Sequence, residues 1–262
     1  MSSLTSQQPD DLKLKVQVIA LIGARLAKYG AETRLILQSM DTLCRAFELK
    51  DAQCAFDSQG TKVTCESPQG QICYYSKVTN YGINMAAVSE YHRICLRAQE
   101  GRYSTLEEIH ADVLKVKPKV YPRTLIVTLE CFAAAAFCYL NLGGLETCLC
   151  AAFGAIILMV TRFFLLDGAF FETFTIITSA FLGAAGACAA AKTIDLPFED
   201  AALAMLSTCL VLVPGFPLIN GFLDVFKGYT VSGVLRLMHA LVVVVNAAVG
   251  IIGATYLSSL FY

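Results

Sequence analysis

Five apolar stretches, each close to twenty residues long, fill the second half of this chain: 124–140, 145–166, 171–191, 201–223 and 237–260, the last with a lead-in from Ser232. A hydrocarbon core about 30 Å thick is crossed by about 20 helical residues. Backbone polar groups at that depth must bond internally, and these runs lack the period of two that a closed barrel needs. Each run is therefore expected to be a transmembrane helix.

Charge marks where the membrane part begins. Only 16% of the residues are charged, against about 25% in ordinary soluble domains. Residues 1–123 hold 16 Lys/Arg and 13 Asp/Glu, whereas 124–262 hold 4 and 8. The expected fold is an α-helical polytopic membrane protein of about five transmembrane helices (124–262) behind an N-terminal α+β cytoplasmic domain (1–123). Residues 1–9 are polar, without the basic and apolar regions of a signal peptide, which keeps the first domain in the cytoplasm. Lys115, Lys117, Lys119 and Arg123 precede the first span, and Arg162, Lys227 and Arg236 fall on the same side by alternation. The opposite side has Lys192 beside Asp195, Glu199 and Asp200, and five spans leave Tyr262 outside.

Polar residues inside apolar runs are the functional candidates. The fourth run contains Val213-Pro214-Gly215-Phe216-Pro217. Pro214 removes the bond to the carbonyl of Leu210 and Pro217 the bond to Val213, while Gly215 adds backbone freedom. Irregular backbone at membrane depth is tolerated where it is buried in protein or lines a wet cavity, and half-helix ends there bind ions and substrates. The plain alternative is a kink that shapes packing. Asn220 and Asp224, four apart, share a face with the break. Asp224 reads as a boundary residue, and Asn220 lies deeper as the better binding contact. Glu130 is seven residues into the first span, where a carboxylate costs about 2.5–3.5 kcal/mol. It is expected to exchange a proton, or to be tied to Arg162 or Arg236. Asn246, in the middle of the fifth span, suits an interhelical hydrogen bond or a substrate contact. Small residues at 133–136, 183–191 and Gly250-Ile251-Ile252-Gly253 predict close helix packing.

In the first domain, Asp10 and Asp11 are expected to cap a helix carrying Leu12, Val16, Ile19, Ile22 and Leu26, which ends at Tyr29-Gly30. A second helix starts near Ala31-Glu32-Thr33 and points Leu35, Ile36, Met40, Leu43 and Phe47 inward. Strands are expected at 53–57, 62–66 and 71–78, with turns at Asp57-Ser58-Gln59-Gly60 and Ser67-Pro68-Gln69-Gly70. Helices follow at 85–98 and 106–116, the second opened by a capping box from Ser104 to Glu107. The 11 cysteines form no regular framework and read as free small hydrophobes. His92, His110 and His239 fit no metal pattern, and neither a nucleophile elbow nor a phosphate loop is present. No metal, cofactor or nucleic acid is expected.

Three motifs in order carry a resemblance: Tyr29-Gly30-Ala31-Glu32-Thr33-Arg34, then Gly82-Ile83-Asn84-Met85, then Leu212 through Asn220, extending past Asp224 to Val231-Ser232-Gly233. With the topology, they make the chain similar to the threonine/serine exporter (ThrE) family, in its half-sized form. The resemblance implies a bacterial inner-membrane exporter of small hydrophilic metabolites, threonine and serine or a dicarboxylate such as succinate. It also implies a second small integral membrane subunit that completes the exporter, and self-association into an oligomer is compatible with it. The cysteine-rich spans depart from the family's pattern and leave the substrate open.

In the exporter reading, Pro214, Gly215, Pro217, Asn220 and Asn246 bind substrate, and Glu130 couples transport to protons, with Asp224, Arg162 and Arg236 as ion-pair candidates. A rival reading makes the N-terminal domain an enzyme that the bundle only anchors. A third makes it a regulatory subunit in which Tyr29, Gly30, Glu32, Thr33 and Arg34 bind a metabolite. Against that stands a plain helix C-cap joined to the next N-terminus, with Glu32 favoured by the local dipole.

Overall fold

In the computed structural model, which describes residues 9–57, 59–68, 70–79 and 81–261, the first element is α1 (Pro9–Lys28). Val16, Ile19, Ile22 and Leu26 are fully buried on it, as are Val18 and Ala20, so the helix is a hub rather than a one-sided surface helix. Around it pack α2 (Thr33–Ala46), α3 (Met85–Gln99), α4 (Leu106–Lys115) and an antiparallel sheet. The sheet runs β1 (Gln53–Phe56), β2 (Gly60–Ser67), β3 (Gly70–Lys77) in order, with Cys54 opposite Val63 and Thr64 opposite Cys73.

Several expectations shift at the ends of elements. Asp10 and Asp11 fall inside α1 instead of ahead of it, and Asp11 pairs with the buried Lys15 at 3.0 Å. The capping box of α4 is one residue later than expected. Thr105 is the N-cap and its Oγ1 accepts from the Glu108 amide, while Glu108 accepts from the Ser104 amide. The sequence contains both overlapping boxes, and spacing alone does not choose between them. Asp57 Oδ1 accepts from the amides of Gln59 and Gly60, which turns the chain and starts β2 at Gly60. Of the positions read from sequence, residues 1–8, Ser58, Gln69 and Tyr262 lie outside the described residues.

Two compact units result: Met1–Val120 with Phe216–Leu237, and Tyr121–Gly215 with Met238–Tyr262. The second unit contains α5 (Arg123–Leu140), α6 (Leu145–Asp167), α7 (Glu172–Thr193), α8 (Phe198–Leu210) and the later part of α10 (Thr230–Ser259). Its core is dominated by small residues, among them Ala151, Ala180, Ala184, Ala187, Ala204 and Cys138, all fully buried. That composition lets helix backbones approach closely, as apolar solvent requires in place of a hydrophobic driving force. Side-chain hydrogen bonds tie neighbours together, with Thr208 donating to the Ala151 carbonyl and Cys209 to that of Ala180. Large apolar residues such as Leu129, Phe132, Tyr139 and Phe164 remain exposed, as on a lipid-facing surface.

The fourth apolar run is not one helix. It is α8 and then α9 (Gly215–Phe226), separated by residues 211–214. Pro214 stands just ahead of α9, while Pro217 lies in the first turn of α9, where a missing amide leaves no intrahelical bond unmade. Four described helices are long and apolar enough to cross a membrane, or five when α8 and α9 count as one broken span. The lead-in to the fifth run is itself helical, so α10 extends over 30 residues from Thr230.

Two contrasts test this packing. A Cβ at Gly250 would sit 2.6 Å from the Ile177 carbonyl and 2.7 Å from Ala180 Cβ, whereas at Gly253 the nearest atom is a Phe181 ring carbon at 3.4 Å. Gly250→Ala should destabilise the bundle by about 1–3 kcal/mol and Gly253→Ala should be neutral or mildly stabilising, read by thermal unfolding in detergent. Burial pushes the Cys95 thiol from an ordinary 9.0 up to about 12, whereas Cys73 is exposed. A maleimide at pH 8 should label Cys73 and spare Cys95. Because the unfolded chain releases the Cys95 proton first, that residue's contribution to stability falls as pH rises from 9.0 to about 12.

Candidate functional site

The turn between α1 and α2 is where the sequence motif of residues 29–34 lies, and nearly every polar group in it is engaged. Gly30 has φ +90° and closes α1: its amide bonds to the Ala27 carbonyl and the Ala31 amide to that of Leu26. The Tyr29 carbonyl accepts from the Asn84 amide and the Lys28 carbonyl from Gly82, which is how the second motif is held to the first. Asn84 also caps α3 through the Ala87 amide. The Tyr29 ring stacks on Tyr91 with centroids 6.0 Å apart.

The remaining partners come from a helical hairpin, α9 and the start of α10, roughly 190 to 205 positions further along the chain. Asn220 donates to the Gly30 carbonyl at 2.9 Å, and Arg236 Nη2 to the Ala31 carbonyl at 2.9 Å. Lys227 pairs with Glu32. Asp224 Oδ1 accepts from the Thr33 amide at 3.0 Å and its Oδ2 from Thr33 Oγ1 at 2.8 Å, while Arg236 Nε lies 3.2 Å from that same Oδ2. Arg34 alone among the motif's polar residues points to an exposed surface.

Why the carboxylate sits there follows from helix chemistry. α2 begins at Thr33, and its N-cap Glu32 makes no side-chain cap bond. The first amides of a helix lack intrahelical partners and carry a positive partial charge. Asp224, fully buried, supplies the missing acceptor from a distant segment, and Arg236 balances its charge. The hairpin is tight enough to hold these groups in register. Gly221 and Gly233 face each other across it, so a Cβ on Gly233 would come within 2.6 Å of the Gly221 carbonyl. Tyr81 lies near Arg236 as well; burial pushes its phenol up and the guanidinium opposes that shift.

Asn220, Asp224, Arg236 and the 29–33 turn are thus brought together. The other candidates belong to the second unit, apart from Pro217 at the start of the hairpin. Glu130 is half-buried on α5, and among the described residues neither Arg162 nor Arg236 forms an ion pair with it. Asn246, buried on α10, donates to Thr173 Oγ1 of α7 at 3.3 Å, an interhelical bond. Pro214 is half-buried and Gly215 exposed at the break between α8 and α9. A forked ion pair joins Arg123 to Asp167, both bonds 2.6 Å. Lys227 entered the sequence reading only as an orientation charge. Its spacing from Asn220 and Asp224, seven and three residues, was the signal that all three share one helix face.

The family model described as "Putative threonine/serine exporter" (ThrE) matches residues 17–258. A "Probable succinate transporter subunit YjjP" of Escherichia coli strain K12 is 29% identical over 254 residues, covering 95% of both chains. A protein of the same description from Klebsiella aerogenes is 28% identical over 231 residues, covering 87% of this chain and 88% of its own. No solved structure matches significantly.

Breaking the central pair tests the clasp. Removing one member of a fully buried ion pair costs about 3–5 kcal/mol, discounted here because Arg236 keeps a fifth of its side chain exposed. Asp224→Ala should therefore destabilise the N-terminal unit by about 2–4 kcal/mol and raise amide exchange at Thr33. Adding Arg236→Met should restore part of the loss, because no unpaired charge is then left behind.

Proposed function

The chain belongs to the threonine/serine exporter (ThrE) family, and on that premise we propose that it is one subunit of a proton-coupled secondary exporter of small dicarboxylates such as succinate. It is a multi-pass membrane protein of a transporter family, and the observation that carries the finer reading is the agreement along nearly the whole chain with relatives described as succinate transporter subunits. The word subunit in those descriptions supports a second small integral membrane protein as partner. Residues 1–123 form the cytoplasmic domain and 124–262 the transmembrane part, supported by the bases Lys115, Lys117, Lys119 and Arg123 ahead of α5.

The substrate site includes the break at Pro214, Gly215 and Pro217. Space is open around Gly215, where an added Cβ would meet nothing within 4 Å. A helix starting there directs unbonded amides and positive partial charge at an anion. Asn220 and Asp224 have another task, holding the 29–33 turn. Glu130, a half-buried carboxylate in an apolar helix, is the coupling group.

Efflux of labelled succinate, and separately of a threonine dipeptide, from preloaded cells tests the assignment. Succinate release should rise only when chain and partner subunit are expressed together. Pro214→Ala should cut it at least tenfold, and Glu130→Gln should abolish its dependence on the proton gradient. Dipeptide release without succinate release would replace the substrate class, and unchanged release of both would overturn the exporter reading.

A further inference from the structure

Two thiols meet where α2 ends and β1 begins. Cys44 Sγ, in the last turn of α2, lies 3.5 Å from Cys54 Sγ on β1, and one S–H donates to the other sulfur. From this contact we infer that Cys44 and Cys54 form an oxidation site, which a hydroperoxide converts to an intramolecular disulfide that fastens α2 to the edge strand.

The connection between the two residues is what brings the sulfurs together. Glu48 takes φ 53° and turns the chain out of α2, with the Leu49 amide bonding back to the Cys44 carbonyl at 3.0 Å. Asp51, at φ 49°, turns it again into β1. Left-handed backbone is disfavoured for residues with a side chain, so this short link is held closed by the packing around it. β1 lies at the edge of the sheet, and Cys54 stands opposite the buried Val63, on the core face. Cys54 is half-buried there while Cys44 is buried behind it. A small molecule therefore reaches one sulfur, and the second is shielded from all but its neighbour. Cys65 of β2 is a third thiol close to Cys44, whereas Cys73, opposite Thr64, is on the outer face of the sheet.

Proximity rather than nucleophilicity drives the reaction. The bond to Cys44 and burial hold the Cys54 thiol above the ordinary thiol range, and the charge of Asp41 adds to this. The first step is accordingly slow and answers to sustained peroxide. In it the Cys54 sulfur attacks hydrogen peroxide, the O–O bond breaks, and water leaves with the thiol proton, giving a sulfenic acid. Cys44 then attacks the Cys54 sulfur, the S–O bond breaks, and the hydroxyl leaves as water with the Cys44 proton. Two thiols are oxidised and one peroxide is reduced to two waters. The second step is intramolecular between sulfurs already in contact, which is where the advantage of the pair lies. On the cytoplasmic placement proposed above, small thiols reverse the link, so it is a transient state there.

Hydrogen peroxide treatment of the purified full chain in nanodiscs, followed by peptide mass mapping and amide exchange, tests the site. The peptides carrying Cys44 and Cys54 should become linked with loss of one hydrogen from each, and dithiothreitol should separate them. Exchange across residues 44–56 should slow by roughly tenfold in the linked form. Cys54→Ser should abolish the link and Cys65→Ala should leave it intact. Phenylarsine oxide, which captures two neighbouring thiols with loss of water and needs no oxidant, should block later alkylation of Cys54 in the parent chain and in Cys65→Ala. No link, a link from Cys44 to Cys65, or arrest of Cys54 at the sulfinic acid overturns the site. A link that leaves exchange unchanged overturns the fastening of α2 to β1. The chemistry is read on the purified chain, so failure of export in cells and failure of this site are told apart.

Discussion

A buried carboxylate at the start of a helix holds the N-terminal unit's two distant sequence segments together. Asp224 is fully buried, bonds the Thr33 amide and hydroxyl, and faces the Arg236 guanidinium. Each partner answers a separate need. The end of α2 needs an acceptor that Glu32 does not provide, the carboxylate needs a positive field, and Arg236 has a further bond to spare for the Ala31 carbonyl. Remove the carboxylate and the Thr33 amide and hydroxyl lose their acceptor while Arg236 loses its counter-charge. That is why three motifs far apart in sequence are one object in space: residues 29–33 form the turn, 82–84 brace it from α3, and 220–236 close over it.

Much of this was legible in the sequence, and the parts that were not share one cause. Spans were readable because burial in hydrocarbon demands about twenty apolar residues, so α5, α6 and α7 start and end within a residue or two of the apolar runs. Gly30 as a left-handed cap was readable because backbone geometry there has a local signature. The partners of Asp224 were not. A carboxylate spaced four from Asn220 announces a face but not what the face meets, and the group it meets is 191 positions away. The same limit applied to the capping box, where two overlapping patterns satisfied the same rule.

The fourth apolar run shows how a composition rule and a backbone rule divide the work. By composition it is one span, and the prolines said it would break without saying where the chain would resume. Pro217 proved compatible with the helix because it falls in the first turn, where no amide is required. Only Pro214 coincides with the interruption. The result is a short helix, α9, with its own N-terminus at Gly215 and with Asn220 and Asp224 bonded to the 30–33 turn.

A helix anchored at one end by buried polar bonds and open at the other transmits force differently from a continuous span. Displacing the 30–33 turn would strain two hydrogen bonds to Asp224, the Asn220 and Arg236 bonds and the Lys227 pair together, since all five converge on four residues. The Gly221–Gly233 approach leaves the hairpin no slack to absorb that displacement, because backbone already touches backbone there. The hairpin and the turn therefore move as one body or separate altogether.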